Sequence, residues 1–376
     1  MEKILVLGAG MVGRAMAIDL STNYAVTVAD ISEEALLRLK SYKPAINIVI
    51  LNVQDTFSLK KHLISYDIIL SAVPGFLGFN TLKAILEAGK NVVDISFFPE
   101  DALELHDLAV QNKVTAIVDC GVAPGLDNLI LGYYNTFWDI TEFECLVGGL
   151  PKIKKWPFYY KAPFSPIDVI EEYTRPARLV ENGHVVVREA LSDCEYVDFE
   201  KVGTLESFNT DGLRSLIQTM QHIPNMKEKT LRYPGHVELI KALKAAGFFN
   251  RELIPSMHTS PIDFTSKVLF ESWKLGENEP ELTLMRVRIA GSEHKPSTNQ
   301  EVIFELYDEF CSSTQTSSMA RTTGYTATAA VNLLLAGKFS AYGVFPPELV
   351  GKHPECHHFI INYLKERNIR LEVRVQ

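Results

Sequence analysis

Residues 4–30 constrain the chain more than any other stretch. Ile4-Leu5-Val6-Leu7 is a short unbroken apolar run, the pattern of a strand buried on both faces. It leads into Gly8-Ala9-Gly10-Met11-Val12-Gly13, a complete G-x-G-x-x-G, and then into a helical segment from Arg14 to Leu20. A second apolar run, Ala25 to Ala29, ends in Asp30. Strand, glycine turn, helix, strand and acid in this order form a dinucleotide-binding fingerprint. Gly8 permits the tight turn, Gly10 lets backbone approach a pyrophosphate, and Gly13 lets the helix pack on the strand. The helix N-terminus at Met11 and Val12 offers unpaired N–H groups to the phosphates. Asp30, followed by Ile31, is placed to accept hydrogen bonds from ribose hydroxyls. A 2'-phosphate would meet its charge, so NAD is expected in preference to NADP. Arg38 lies too far along the next helix to clamp such a phosphate.

The alternation continues. Strands are expected at Asn47–Leu51, Asp67–Val73, Asn91–Ile95 and Val114–Val118, with helices at Asp55–Leu63, Phe76–Glu87 and Asp101–Gln111. The fold class is α/β: a Rossmann-type doubly wound parallel sheet in order 3-2-1-4-5-6. Ligands bind beyond the carboxyl ends of such strands. That selects Asn52, Val53, Ala72, Val73, Pro74, Gly121 and Pro124 for the cofactor, and Asp94 and Asp119 beside its reactive end.

After residue 121 the rhythm changes. Short strand patterns, an Asn182-Gly183 hairpin turn and longer alternating strands at Leu282–Ala290 and Val302–Tyr307 read as an α+β unit around a mixed sheet. Prolines 151, 157, 163 and 166 suggest a loop folded over the site. A small-residue helix at Thr326–Ala336, an amphipathic helix at Glu355–Arg367 and a last strand at Leu371–Val375 complete the chain. The expected division is a nucleotide domain at 1–124, an inserted domain at 125–315, and helices at 316–376 that return to the first domain.

Composition removes other classes. The 376 residues carry a net charge of -9, which argues against a nucleic-acid binder needing a basic face. Five widely spaced cysteines without a CxxC pair suggest no disulfide framework and a cytoplasmic setting. No apolar run approaches the roughly 20 residues of a membrane span, and no signal peptide is expected. His353, His357 and His358 read as a surface cluster lacking a carboxylate or cysteine at ligand spacing, so no metal is expected.

Three groups could move a proton. Asp94 and Asp119 follow adjacent strands, and each could equally cap the turn after its strand. His236, in Leu231-Arg232-Tyr233-Pro234-Gly235-His236, could exchange a proton near neutral pH, or simply open a helix. Arg232 could clamp a carboxylate. Thr210 and Asp211 could hold a substrate group or cap a helix. Arg321 is a similar case before the late helix. Cys120, beside Asp119, reads as a small buried hydrophobe.

Several segments together resemble the saccharopine dehydrogenase family. They are Gly121-Val122-Ala123-Pro124-Gly125-Leu126-Asp127-Asn128, Val147-Gly148-Gly149-Leu150-Pro151, Gly203–Glu206 with Thr210-Asp211-Gly212, Thr230–His236, and Met319–Tyr325. The Arg232–His236 run and Ala320-Arg321-Thr322-Thr323 look most like the lysine 6-dehydrogenase branch. The Gly148–Pro151 segment is shared with the glutamate-forming branch, which more usually has Phe at the His236 position. The resemblance implies an inserted domain that binds a small amino acid substrate and supports a homodimer. It also implies oxidation of a C–N bond, with the L-lysine ε-amine carbon giving hydride to NAD and the imine hydrolysing to allysine.

The residues suit that chemistry. A lysine amine, with pKa about 10.4, must lose a proton before its electrons can support hydride departure. Asp94, Asp119 and His236 are the candidate acceptors. Arg232 or Arg321, with Thr210, Asp211 and Tyr233 nearby, would hold the α-carboxylate end. A saccharopine dehydrogenase, or a carboxynorspermidine-type reductase, is the alternative. It would call on Lys152, Lys154, Lys155 and Arg175 for a second amino acid's carboxylates. A non-catalytic NAD(H)-binding protein is the alternative from another class.

Overall fold

The computed structural model describes residues 1–164, 166–276, 278–294 and 299–376. The first half of the fold follows the apolar runs. Its elements are β1 (Lys3–Leu7), α1 (Met11–Leu20), β2 (Ala25–Asp30), α2 (Glu33–Tyr42), β3 (Asn47–Ile50), α3 (Thr56–Leu63), β4 (Ile68–Ser71), α4 (Gly75–Glu87), β5 (Asn91–Asp94), α5 (His106–Gln111) and β6 (Thr115–Ile117). The strands are parallel in order β6-β5-β4-β1-β2-β3, as the alternation predicts. Ile4, Leu5, Val6 and Leu7 are all buried, because helices cover both faces of the sheet. Helix starts follow local capping chemistry. Ser32 accepts from Ala35 N at α2 and Asp55 from Ser58 N at α3.

The middle of the chain builds a second, mixed sheet. Its elements are α6 (Leu126–Tyr134), β7 (Trp138–Pro151), α7 (Pro166–Thr174), β8 (Ala177–Glu181), β9 (His184–Arg188), β10 (Glu195–Phe199), β11 (Gly203–Asn209), α8 (Leu216–Thr219), β12 (Asn225–Arg232), α9 (His236–Ala245), α10 (Pro261–Trp273), β13 (Glu281–Glu293) and β14 (Asn299–Glu309). The path is β10-β11-β12-β7-β13-β14, with β12 and β7 parallel and the other pairs antiparallel. Asn182 (φ 51°) and Gly183 (φ 78°) turn β8 into β9, the two left-handed residues that a tight hairpin needs. Of the four prolines read as a loop, Pro166 instead opens α7.

The last part ties the two sheets together. Helix α11 (Ser318–Leu335) starts eight residues before the expected Thr326, because Ser317 accepts from Ala320 N and caps it there. It lies against α1, where a methyl on Gly324 would stand 3.1 Å from Met16 Cγ. β15 (Gly343–Phe345) pairs parallel with β6 as a seventh strand. After α12 (Pro347–Gly351) and α13 (Pro354–Glu366), β16 (Leu371–Val375) pairs antiparallel with β14. The tail therefore serves both sheets, whereas the sequence reading sent it back to the first alone. Among the described residues no helix is long and apolar enough to cross a membrane.

Candidate functional site

A cavity of about 780 Å³ lies between the carboxyl ends of the parallel strands and the second sheet. Every residue expected to hold the cofactor lines it: Gly8, Gly10, Met11, Val12, Gly13, Asp30, Ile31, Asn52, Val53, Ala72, Val73, Pro74, Gly121 and Pro124. The glycines divide the work as their spacing suggests. Gly8 sits at φ 107°, and a methyl on Gly13 would run into Gly8 O, so helix and strand meet backbone to backbone. At Gly10 a methyl would meet nothing within 4 Å, which leaves the cavity side of the turn open. Gly10 caps α1 without any side-chain hydrogen bond, and no acid lies in the first turn. These N–H donors and that open space fit a pyrophosphate. At the rim, Asp30 Oδ2 accepts from Ala9 N at 2.7 Å and Oδ1 from Ser32 N at 2.7 Å. The carboxylate is thereby fixed where a ribose would lie.

The substrate half of the lining is acidic. Asp168, Glu171 and Glu172 of α7, with Asp119, Asp211 and Glu228, face the cavity beside two arginines, Arg175 and Arg232. The spacing 168, 171, 172, 175 is one face of a helix extended by a residue.

Of the three expected proton acceptors, only Asp119 lines the cavity. Its Oδ2 accepts from Arg214 Nε at 2.8 Å, while Oδ1 is buried without a partner. Asp94 does not reach the cavity. Its Oδ1 accepts from Ser96 N at 2.8 Å and Oδ2 from Ser96 Oγ at 3.2 Å, so it caps its turn, the bland alternative. Burial pushes its carboxyl up to about 7. His236 is also a correction. It is fully buried among Phe158, Tyr160, Tyr173 and Trp273. Arg232 Nε donates to Tyr173 Oη, so the tyrosine proton points at His236 Nε2, 3.0 Å away, and Nδ1–H donates to Phe158 O at 2.8 Å. Burial and the Arg232 charge push its pKa down to about 3, which removes it from chemistry near neutral pH.

The expected substrate residues separate similarly. Thr210, Asp211 and Arg232 line the cavity; Tyr233 and Arg321 do not. Tyr233 donates to Pro151 O at 3.0 Å. Arg321 is spent on a fork to Asp308 at 3.0 and 3.1 Å and on Arg367 O. Asp211 is held by Arg178 Nε and Nη2 at 2.8 and 2.9 Å and does not cap a helix. Lys152 and Lys155 pair with Glu309 and Glu279, and Lys154 lies over the Tyr233 ring; none of them lines the cavity. His357 is no surface residue: it stacks on Tyr133 at 4.1 Å, and burial lowers its pKa to about 4.

The sequence reading missed Glu228. It is 3% exposed, yet it lines the cavity with Oε2 unpartnered. Burial and the neighbouring Asp127, Glu172 and Asp211 hold its carboxyl well above the usual range. Behind it, Asp127, Cys145 and Glu228 bring their ligand atoms within 4.8 Å of one another, a grouping that histidine spacing could not suggest. The Cys145 thiol, pushed far up by burial, hydrogen-bonds Asp127, whose carboxyl burial raises to about 7. The group thus has protons to share. One signal was available: Glu228-Lys229-Thr230 puts consecutive polar residues in a strand, so at least one must face inward.

The family description "Saccharopine dehydrogenase NADP binding domain" matches residues 4–117, and "Saccharopine dehydrogenase C-terminal domain" matches residues 121–369. Mitochondrial alpha-aminoadipic semialdehyde synthase of Mus musculus is 27% identical over 285 residues, covering 71% of this chain and 31% of that one. Saccharopine dehydrogenase [NADP(+), L-glutamate-forming] of Schizosaccharomyces pombe is 27% identical over 269 residues, covering 66% of this chain and 59% of that one. The chain therefore spans under a third of the first relative and under two thirds of the second. Apo saccharopine dehydrogenase (L-Glu forming) from Saccharomyces cerevisiae superposes over 100% of both chains, with TM-score 0.81 and 20% identity. That likeness shows the fold: a Rossmann-type sheet joined to a second mixed sheet.

Proposed function

Because the chain belongs to the saccharopine dehydrogenase family, we propose that it is a pyridine-nucleotide-dependent amino acid oxidoreductase acting on the ε-amine of L-lysine. The acidic wall carries this reading. Six carboxyl side chains and two arginines line the substrate half of the cavity, while Arg214, Arg178 and Arg251 pair with Asp119, Asp211 and Glu171 from outside the lining. Lysine brings two ammonium groups and one carboxylate to that wall. Saccharopine brings three carboxylates, and of Lys152, Lys154, Lys155 and Arg175, the residues expected to meet its second amino acid, only Arg175 lines the cavity.

A bound nicotinamide would supply the acceptor for the hydride that leaves the amine-bearing carbon. Gly8, Gly10, Met11, Val12 and Gly13 would hold the pyrophosphate and Asp30 the ribose hydroxyls. The substrate must shed one proton from its ammonium before that carbon can form a C=N bond. Glu228 is the acceptor of choice, because it lines the cavity with one oxygen unengaged and burial raises its carboxyl, making it a stronger base than an exposed glutamate. Asp119 Oδ1 would accept a hydrogen bond from the amine and aim its carbon. Water then splits the imine into aldehyde and ammonium.

NAD is the proposed cofactor because Asp30 stands where a 2'-phosphate would need a cation. Two observations favour a second reading, an NADP-dependent saccharopine dehydrogenase. The yeast relatives are named for NADP and saccharopine. Arg14 and Arg38 also line a neighbouring cavity beside Ser32. The test is NADH or NADPH formation by the purified protein with L-lysine and with saccharopine. Turnover of lysine with NAD supports the proposal. Turnover of saccharopine alone replaces it with the second reading. Nucleotide binding without turnover on either would make the chain a non-catalytic binder or place its substrate elsewhere.

A further inference from the structure

Two arginines reach the substrate half of the cavity, and their hydrogen bonding differs. Arg232 is committed. Its Nε donates to Tyr173 Oη, Nη1 to Leu231 O, and Nη2 to Glu172 Oε2 at 2.6 Å, with Tyr160 Oη at 3.4 Å. Its guanidinium lies over the Tyr160 ring at 4.4 Å. Moving it to a ligand would break a buried network and leave Glu172 unpaired.

Arg175 is different. It follows the last turn of α7, where its N–H still bonds Glu171 O and the helix dipole favours a cation. Its Nη2 makes one long contact, 3.4 Å to Glu171 Oε2, and that carboxylate already receives a 3.0 Å bond from Arg251 at its other oxygen. Its Nη1 is buried and has no partner. The guanidinium is held over the Phe97 ring at 5.1 Å, and Arg214 packs over the same ring at 4.7 Å. Phe97 itself lines the cavity. A flat ring fixes the plane of the fork, and a desolvated donor with nothing to bond costs free energy until an acceptor arrives.

We infer that Arg175, and not Arg232, takes the carboxylate of the substrate, with Phe97 as the plate that sets the fork's plane. Asp168, Glu171 and Glu172, one and two turns earlier on α7, then face the substrate's ammonium groups. Helix α7 thus selects a molecule with one carboxylate and a distant amine, and disfavours a dicarboxylate. This rests on the reading of the cavity as an amino acid oxidoreductase site.

The test needs binding as well as turnover. L-lysine, 6-aminohexanoate and 1,5-diaminopentane are titrated calorimetrically into the protein loaded with NADH. The same three amines are assayed with NAD. Wild type is compared with Arg175→Gln and Arg175→Lys, and NADH affinity reports that each variant is folded. The expected result is a loss of about 10- to 100-fold in affinity and in 1/KM for the two carboxylates in Arg175→Gln, with little change in kcat. Binding of 1,5-diaminopentane should stay the same or tighten. Arg175→Lys should recover only part, because it keeps the charge and loses the fork. Equal losses for all three ligands, or none, would overturn the inference while leaving lysine turnover by the wild type intact. Arg175-dependent binding of the carboxylates without turnover would uphold it and overturn the proposed reaction. Absence of binding by all three would overturn both.

Discussion

Asp119, at the end of β6, and Arg214, ahead of α8, form a buried ion pair with Nε 2.8 Å from Oδ2. The pair joins the loop after β6, where Asp119 lines the cavity, to the segment ahead of α8. Arg214 also donates through Nη1 to Phe98 O at 2.7 Å, so one guanidinium pins two loops of the parallel sheet to the second sheet's side. Both residues adopt left-handed backbone, at φ 51° and 45°. The free Oδ1 of Asp119 is aimed by this clamp.

Removing either partner should therefore have separable effects. Asp119→Asn keeps the shape and should lower kcat by about 100-fold or more, with nucleotide affinity within about threefold of wild type. Arg214→Met should instead cost about 3–5 kcal/mol of stability, because it leaves a buried carboxylate unpaired. Steady-state kinetics, nucleotide titration and urea melts would check these. Unchanged turnover in Asp119→Asn would take Asp119 out of the mechanism.

Glu228→Gln tests the proton acceptor. Burial holds its carboxyl above the usual range, so it becomes a base only at higher pH than an exposed glutamate does. Wild-type turnover should climb as pH rises through the range where this carboxyl loses its proton, above the range of an exposed glutamate. The Gln variant should be slow and lack that climb. A full pH–rate profile distinguishes this from a merely structural defect, which would lower the curve without changing its shape.

His236→Phe should leave the pH–rate profile unchanged above pH 5, since the imidazole is neutral there. It should cost about 1–3 kcal/mol, because the Tyr173 hydroxyl and the Phe158 carbonyl lose partners. The sign of its pH effect is fixed as well. A histidine whose folded pKa is depressed loses stability as pH falls below its unfolded value of about 6.5 toward 3. The variant should therefore be less acid-sensitive than wild type in thermal melts.

The glycines of the turn give a paired test. Gly10→Ala puts a methyl into open space, so the fold should change by less than about 1 kcal/mol while nucleotide affinity drops about tenfold or more. Gly13→Ala puts its methyl into Gly8 O and should destabilise by about 1–3 kcal/mol. Thermal melts with and without nucleotide separate the two. Loss of fold in Gly10→Ala would contradict the open turn.

Glu281 offers a stability prediction far from the chemistry. It caps α11 through Ser318 N and Met319 N, and burial raises its carboxyl to about 8. A raised carboxyl binds its proton more tightly folded than unfolded. Its contribution is full below the usual carboxyl range and is lost as pH rises from about 4.5 to about 8, with a slope near 1.36 kcal/mol per pH unit. Glu281→Gln should gain on wild type across that window in urea melts. A constant difference between the two would refute the assignment.

The nucleotide half was legible because its signals are local. An apolar run, a glycine spacing and an acid at a strand end each act within a few residues, so the strand order and one side of the cavity lining are legible directly. The substrate half was not, because its chemistry depends on who faces whom. Asp94 and Asp119 look alike in sequence; only the second has an arginine 95 residues later to pair with. His236 reads as a candidate proton carrier, but an aromatic cage of Phe158, Tyr160, Tyr173 of α7 and Trp273 of α10 turns it into a hydrogen-bonded core residue. Glu228 was hidden in a strand that pattern reading treats as ordinary.

Strand β15 completes the parallel sheet from a segment more than 220 residues after its partner β6, and β16 (Leu371–Val375) pairs with β14 of the other sheet from more than 60 residues further on. During synthesis, the α1 face and the β6 edge must therefore wait, unpaired, until α11 and β15 have emerged. Such distant pairing makes assembly slow and late. A nascent chain stopped at residue 310 should bind chaperones or aggregate, and a deletion of the last 35 residues should harm the nucleotide site without touching any residue that lines it.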